Sequence, residues 1–276
     1  VRFDMYGGHS RPALNQSFVG RIGYANTAYI SGRSILQPRV GFDFKPTPTI
    51  SLRGGIGVFS GGSPDVYVSN SFSNTGFLSN SIDIRQNNDG SYTNPAGSVG
   101  LVNVNGTTIP GAVNDYLKSV TTNPATPAPT NALDPKFKLP SQWRGTLSAD
   151  WSPRFGESGF GTGWNFGADF FWSKVRNQVF FTDARVRPNG LLTPDGRTRY
   201  SPVTSFADTN YDIILTNTNR GHSLIGVLRV NKTFDWGLDA GVSYTYQRVT
   251  DQAPATSSTA TSNYANGAFL DANGAA

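Results

Sequence analysis

Apolar and polar side chains alternate with a period of two in several stretches of this chain. In WRGTLSADW, Trp143, Gly145, Leu147, Ala149 and Trp151 share one phase, while Arg144, Thr146, Ser148 and Asp150 take the other. Trp164, Phe166, Ala168, Phe170 and Trp172 form a second apolar phase against Asn165, Asp169 and Ser173. Trp236, Leu238, Ala240, Val242, Tyr244 and Tyr246 form a third, against Asp239, Ser243, Thr245 and Gln247. Successive side chains of a β-strand point to opposite faces. Each run therefore predicts a strand with one tryptophan-edged apolar face and one polar face. The three strands are set at Gln142–Pro153, Gly163–Phe181 and Trp236–Val249. Four more are expected at Val1–Tyr6, Pro38–Lys45, Thr49–Ser60 and His222–Phe234, the last with Ile225 and Val227 interrupting its polar phase. NYANGAFL begins to look like an eighth.

Within the three tryptophan-edged runs as quoted no charge falls on the apolar phase, and Lys174 and Lys232 lie on it near strand ends, where a long side chain can snorkel. On the lipid face of a barrel, Arg or Lys at the bilayer midplane costs about 2–4 kcal/mol, so this exclusion predicts lipid contact. The connections alternate in length. Pro46–Pro48, Phe155–Thr162 and Asp235 are short, whereas residues 7–37, 61–141, 182–221 and 250–262 make long ones. Outer-membrane barrels have short periplasmic turns and longer extracellular loops. The fold class expected is all-β: an antiparallel transmembrane β-barrel wall of seven to eight strands, with residues 1–276 as one partial barrel domain. Trp143 and Trp151 are eight residues apart, as are Trp164 and Trp172. At about 3.4 Å per residue and roughly 40° tilt each pair spans about 20 Å, close to the apolar band of about 25 Å expected for such a wall. Trp151, Trp164 and Trp236 are thereby assigned to the periplasmic girdle, and Trp143 and Trp172 to the outer one.

Composition narrows the class without changing it. Hydrophobic residues make up only 37% of the 276, glycine numbers 31 and aromatic residues reach 12%. No stretch approaches the roughly 18 to 20 apolar residues of a membrane helix, whereas half of every barrel strand is polar. There is no cysteine, which excludes a disulfide framework or thiolate metal site. The net charge of +5 is scattered rather than gathered into a stripe, so no nucleic-acid footprint is expected. The chain opens on VRFDMY, without initiator Met or apolar leader, and stops at LDANGAA; both ends are expected to be cuts through a longer protein.

Candidate chemistry is sparse. His9 and His222 have no neighbouring Ser or carboxylate in the sequence, so no catalytic residue is expected. Asp83, Asn87 and Asp89 miss the spacing of a calcium loop and lack its distal Glu. NNDG and TPDG read as hairpin tips, and FGESGFGTG as a turn, with no GK[ST] to make a phosphate loop. The sequons at Asn15, Asn105 and Asn231 read as chance matches. No metal site and no cofactor is expected. Arg39, Asp43, Lys45, Arg53, Asp150, Asp169, Arg229 and Asp239 fall on the inward phase, where they either line a path or pair with one another. The loop aromatics Tyr67, Phe72, Phe77, Tyr92 and Tyr116 suit ligand contact or small loop cores equally well.

VRFDMY, LQPRVGFDFKPTPTISLRGGIGVFSGGSP, ALDPKFKLPSQWRGTLSADW and SYTYQRVTD, in that order, resemble the barrel of TonB-dependent outer-membrane receptors. The Oar-like subgroup, whose members often carry a carboxypeptidase-regulatory-like domain, is the most similar. The resemblance implies a barrel of about 22 strands in the outer membrane of a Gram-negative bacterium. It also implies an N-terminal plug and TonB box, neither of them present in this chain. Its implied partners are outer-membrane lipid, the inner-membrane TonB complex and an unidentified solute. It implies capture of a scarce solute by the outer loops, with import driven from the inner membrane. The rival expectations are a small self-contained barrel acting as adhesin or structural protein, an outer-membrane enzyme, and a soluble β-sandwich.

Overall fold

The structure is a computed structural model describing residues 1–62, 64–76, 87–91, 107, 111, 114–115, 129–203, 210–252, 255–265, 270–271 and 274–275. In chain order the strands begin with β1 (Arg2–Met5), β2 (Ser34–Gln37), β3 (Arg39–Thr47) and β4 (Ile50–Ser60). Next come β5 (Thr130–Leu133), β6 (Ser141–Trp151), β7 (Trp164–Asp183), β8 (Val186–Leu192) and β9 (Thr198–Pro202). After these lie β10 (Asp212–Thr218), β11 (Gly221–Thr233) and β12 (Asp239–Asp251).

Six of them form an antiparallel wall in the spatial order β3-β4-β6-β7-β11-β12. Short turns join β3 to β4, β6 to β7 and β11 to β12, while the long connections join β4 to β6 and β7 to β11. Phe234 and Leu238 close the turn between β11 and β12, with Gly237 at φ 96, a left-handed conformation that favours glycine. Among the described residues the wall does not close into a barrel: β3 and β12 are its two edges.

The register carries one apolar face across the wall from β3 to β11. Val40, Ile56, Gly145, Trp172 and Leu224 lie on one level, and Phe42, Gly54, Leu147, Phe170 and Gly226 on the next. Phe42, Leu147, Phe170 and Leu228 stand exposed on it, as lipid contact requires. Glycines make this register possible. A Cβ at Gly54 would lie 2.7 Å from the Phe42 ring that leans over it, and one at Gly145 would lie 3.4 Å from Trp172.

Several expectations need correction. The first strand is only Arg2–Met5, and it pairs with β2 rather than with the wall. Residues 7–37 are not plain loop: they hold the helix Gln16–Ile22, capped by the Asn15 side chain, and the strand β2. Pro38 separates β2 from β3 because it has no N–H to give the ladder, but its carbonyl still accepts from Val58 N at 2.9 Å. The strand expected at Trp236–Val249 begins at Asp239, which leaves Trp236 in the preceding turn. Where an eighth strand was expected, Asn263 and Tyr264 lie in the helix Ala260–Ala265.

TPDG is the tip of the β8–β9 hairpin, closed by Thr193 N to Arg197 O at 2.9 Å. NNDG turns likewise, with Asn87 N on Ser91 O at 2.7 Å. No described helix is long and apolar enough to cross a membrane.

Beyond the wall, β7 continues outward and pairs with β10, which pairs in parallel with β5. These strands and described parts of the four long connections fold into a cap. Its core is Val68, Leu133, Phe137, Val179, Phe181, Ile213, Leu215 and Ala260. Leu133, Phe137 and Leu139 are buried in alternation along LDPKFKL. Arg33 holds the turn between them, donating to the carbonyls of Asp134, Pro135 and Phe137.

Candidate functional site

The inward face carries a charge network built by the register. Asp150, Gly167 and Arg229 occupy one level of β6, β7 and β11, and Arg53, Ser148 and Asp169 the next level on β4, β6 and β7. Arg229 crosses β7 over Gly167 and donates to both Asp150 and Asp169, while Arg53 reaches Asp150 Oδ2 at 2.7 Å. A Cβ at Gly167 would sit 2.2 Å from Arg229 Nε, so the glycine is the space through which the network closes. Two guanidiniums bridged by two carboxylates leave the network close to neutral, which its half-buried place on the polar face requires.

Four of the predicted inward residues, Arg53, Asp150, Asp169 and Arg229, therefore meet. Arg39 belongs to a separate cluster nearer the outer end. It stacks 4.1 Å from the Phe59 ring centroid and donates to Gln37 Oε1 at 3.1 Å. Arg144 lies 5.6 Å from the same ring. Gln37, fully buried, donates to Asp4 Oδ2 at 2.6 Å. Asp43 and Lys45 lie exposed on the edge strand β3, and Asp239 exposed at the start of β12. Gln37 and Phe59 were missed. Phe59 breaks the polar phase of its strand, as Ile225 and Val227 do on β11, and such a break is the signal that could have found it.

In the cap, Tyr67 and Phe72 pack against the hydrophobic core. The Tyr67 ring meets Phe181 edge-on at 5.6 Å, and its hydroxyl donates to Ala255 O at 3.1 Å. Phe77, Tyr92 and Tyr116 lie outside the described residues. A charged knot sits beside the core: Asp212, fully buried, accepts two bonds from Arg21 at 3.1 Å and one from Arg185 Nε at 2.7 Å. Asp183 accepts the backbone N–H groups of Arg185 and Asp212, yet burial outweighs them and pushes its carboxyl above the ordinary range. Burial also pushes the Tyr24 phenol up to about 12, where it stands edge-on to Phe18 at 5.8 Å.

The girdle tryptophans differ between rims. At the turn end, Trp151, Phe155 and Phe166 touch one another with centroids 5.5 to 6.3 Å apart. Trp164 stacks on Phe166 at 5.9 Å, and Trp236 meets Phe234 at 5.6 Å. Lys232, expected to snorkel into water, is 4% exposed instead. Its ammonium donates to Thr162 O, to Gly159 O at 3.1 Å and to Thr233 O at 3.1 Å, among the rings of Phe160, Trp164 and Phe234. Two carbonyls of the turn between β6 and β7 together with that of Thr233 are better partners than the interface. At the cap end, Trp143 and Trp172 face outward on adjacent levels, and Arg176 lies 5.9 Å from the Trp143 ring.

His222 Nδ1 bonds to Thr250 Oγ1 at 2.9 Å, and among the described residues no carboxylate orients it. The arrangement can hold charge, seat a polar solute and anchor in lipid. A family model described as an outer membrane beta barrel domain matches residues 7–274, nearly the whole chain. No curated protein and no solved structure matches.

Proposed function

Since this chain belongs to the outer membrane beta barrel domain family and sits in the outer membrane of a Gram-negative bacterium, we propose that it is wall and cap of a TonB-dependent transporter. In this reading the cap captures a scarce solute and the inner membrane supplies the energy for import. Its work is binding and passage rather than bond chemistry. The observation that carries the reading is the continuity of β7, which bears the charged lumen face at one end and the core of a folded outer cap at the other. A structural wall needs no such cap.

The free edges of β3 and β12 support the larger barrel. Lipid cannot satisfy unpaired N–H and C=O groups, and six wall strands are fewer than the roughly eight of the smallest closed barrels. Further strands closing the wall, toward the about 22 of the Oar-like receptors, would satisfy both edges.

Uptake in the native bacterium tests this. Deleting the gene, or disabling the TonB complex in a separate strain, should each abolish accumulation of the same labelled solute at scarce supply and spare it at abundant supply. Accumulation that needs the gene but ignores the TonB complex would point to a passive channel and overturn the proposal. Loss of surface adhesion with no uptake defect would favour the self-contained barrel.

A further inference from the structure

The outward face of the wall is electrically lopsided. Every carboxylate of the wall strands that lies within the membrane register, namely Asp43, Asp150, Asp169 and Asp239, falls on the inward phase. At the cap end the outward phase carries cations instead. Lys174 and His222 share one level with Trp143, and Arg248 shares the next with Trp172 and Leu224. Arg176, at the register shift of β7, lies against the Trp143 ring. All four side chains are exposed, and among the described residues none forms an ion pair with a carboxylate. The opposite rim shows how the same fold treats a cation with no external partner. There the outward phase offers only Lys232, which is buried against three carbonyls, while the adjoining turns mix Arg154 with Glu157 and Asp235.

Exposed, unpaired cations level with the cap-end tryptophans lie at headgroup depth, where anionic lipid attracts each Lys or Arg. The chain sits in a membrane whose outer leaflet is built of phosphorylated glycolipid, and the cap end faces that leaflet. We infer that Lys174, Arg176, His222 and Arg248 form a docking site for the phosphate groups of an outer-leaflet glycolipid, seated over Trp143 and Trp172. Arginine suits this task because its planar fork meets phosphate oxygens in pairs. The ring beneath Arg176 holds that fork at the rim without neutralising it.

The test uses the full-length protein extracted from outer membranes into mild detergent. Native mass spectrometry counts retained lipid after incubation with a bisphosphorylated glycolipid, or with the same lipid after enzymatic removal of its phosphates. Wild type should retain the phosphorylated form and release the dephosphorylated one. Combining Lys174→Gln, Arg176→Gln and Arg248→Gln should lower retention by about fivefold per cation removed, with Arg197→Gln on the β8–β9 hairpin unchanged. Heat-modifiable gel mobility reports folding. Should the triple variant fail to fold, Arg248→Gln alone, on the exposed strand β12, carries the test. Equal retention of both lipids by wild type, or unchanged retention by a folded variant, overturns the site. Displacement by inorganic phosphate at the lipid's own concentration overturns its assignment to a lipid headgroup.

Discussion

Replacing Lys232 by Met decides between two physical accounts of a lysine on a lipid-facing phase. If the side chain merely tolerated its place by reaching water, Met would be neutral or better, because a lysine near the interface of a barrel costs about 0–1 kcal/mol. The structure gives the opposite sign. Lys232 is 4% exposed and donates three hydrogen bonds to the carbonyls of Gly159, Thr162 and Thr233. Bonds from charged groups are worth about 1.5–3 kcal/mol each, but rim carbonyls partly regain water when abandoned, so about 1 kcal/mol each is retained. The nearby rings add about 0.5–1 kcal/mol. Met should therefore destabilise by about 3 kcal/mol, and Lys232→Arg by less than half of that. The assay is urea unfolding of the full-length protein from lipid vesicles, followed by tryptophan fluorescence and gel mobility. A midpoint for Lys232→Met equal to or above wild type, at unchanged slope, would refute the reasoning.

Gly167→Val should cost about 2 kcal/mol, because the new side chain displaces Arg229 from its two carboxylates; in an Arg229→Gln background most of that cost should vanish in the same unfolding assay. Gly226→Ala, where a Cβ meets nothing within 4 Å, should stay within about 0.5 kcal/mol of wild type. Asp212→Asn strands Arg21 and Arg185 and should loosen the cap by about 3–5 kcal/mol. Limited proteolysis should then cut within residues 182–221 while the wall stays intact; an uncut cap would contradict it. Raising the Tyr24 pKa means the folded cap keeps a proton that the unfolded chain gives up. Its contribution is whole below pH 10 and is lost as pH rises toward about 12. Tyr24→Phe should remove one late-ionising phenol from the tyrosinate absorbance titration, and an unchanged titration would exclude this account.

The wall was legible because lipid on one side and water on the other impose a period of two on every strand. That pattern is local, so WRGTLSADW announces β6 without any knowledge of its partners. The cap was not legible, because its pairings join distant segments. Thr130–Leu133 runs parallel to Asp212–Leu215 across some eighty residues, and neither stretch alternates, since both are buried on two sides. Four of the inward charges could be named but not joined. Their union depends on Gly167, whose meaning emerges only once Arg229 is known to lie opposite it. Lys232 misled for a related reason: two of its three carbonyl partners belong to a turn some seventy residues earlier. The loop aromatics Tyr67 and Phe72 gave no hint of their side, because a packed ring and a waiting one look alike in sequence.

β7 runs twenty residues from the turn-end girdle to the heart of the cap. Mechanically it is a tie rod. A pull on the cap along that axis loads the hydrogen bonds to β6 and β11 in shear, many at once, rather than peeling them singly. Load entering at Phe181 therefore reaches Asp169 and Trp164 with little slack, and the one point of give is the register shift beside Arg176. Cap and wall on this side must travel together, so any opening that admits a solute has to come from parts that β7 does not hold.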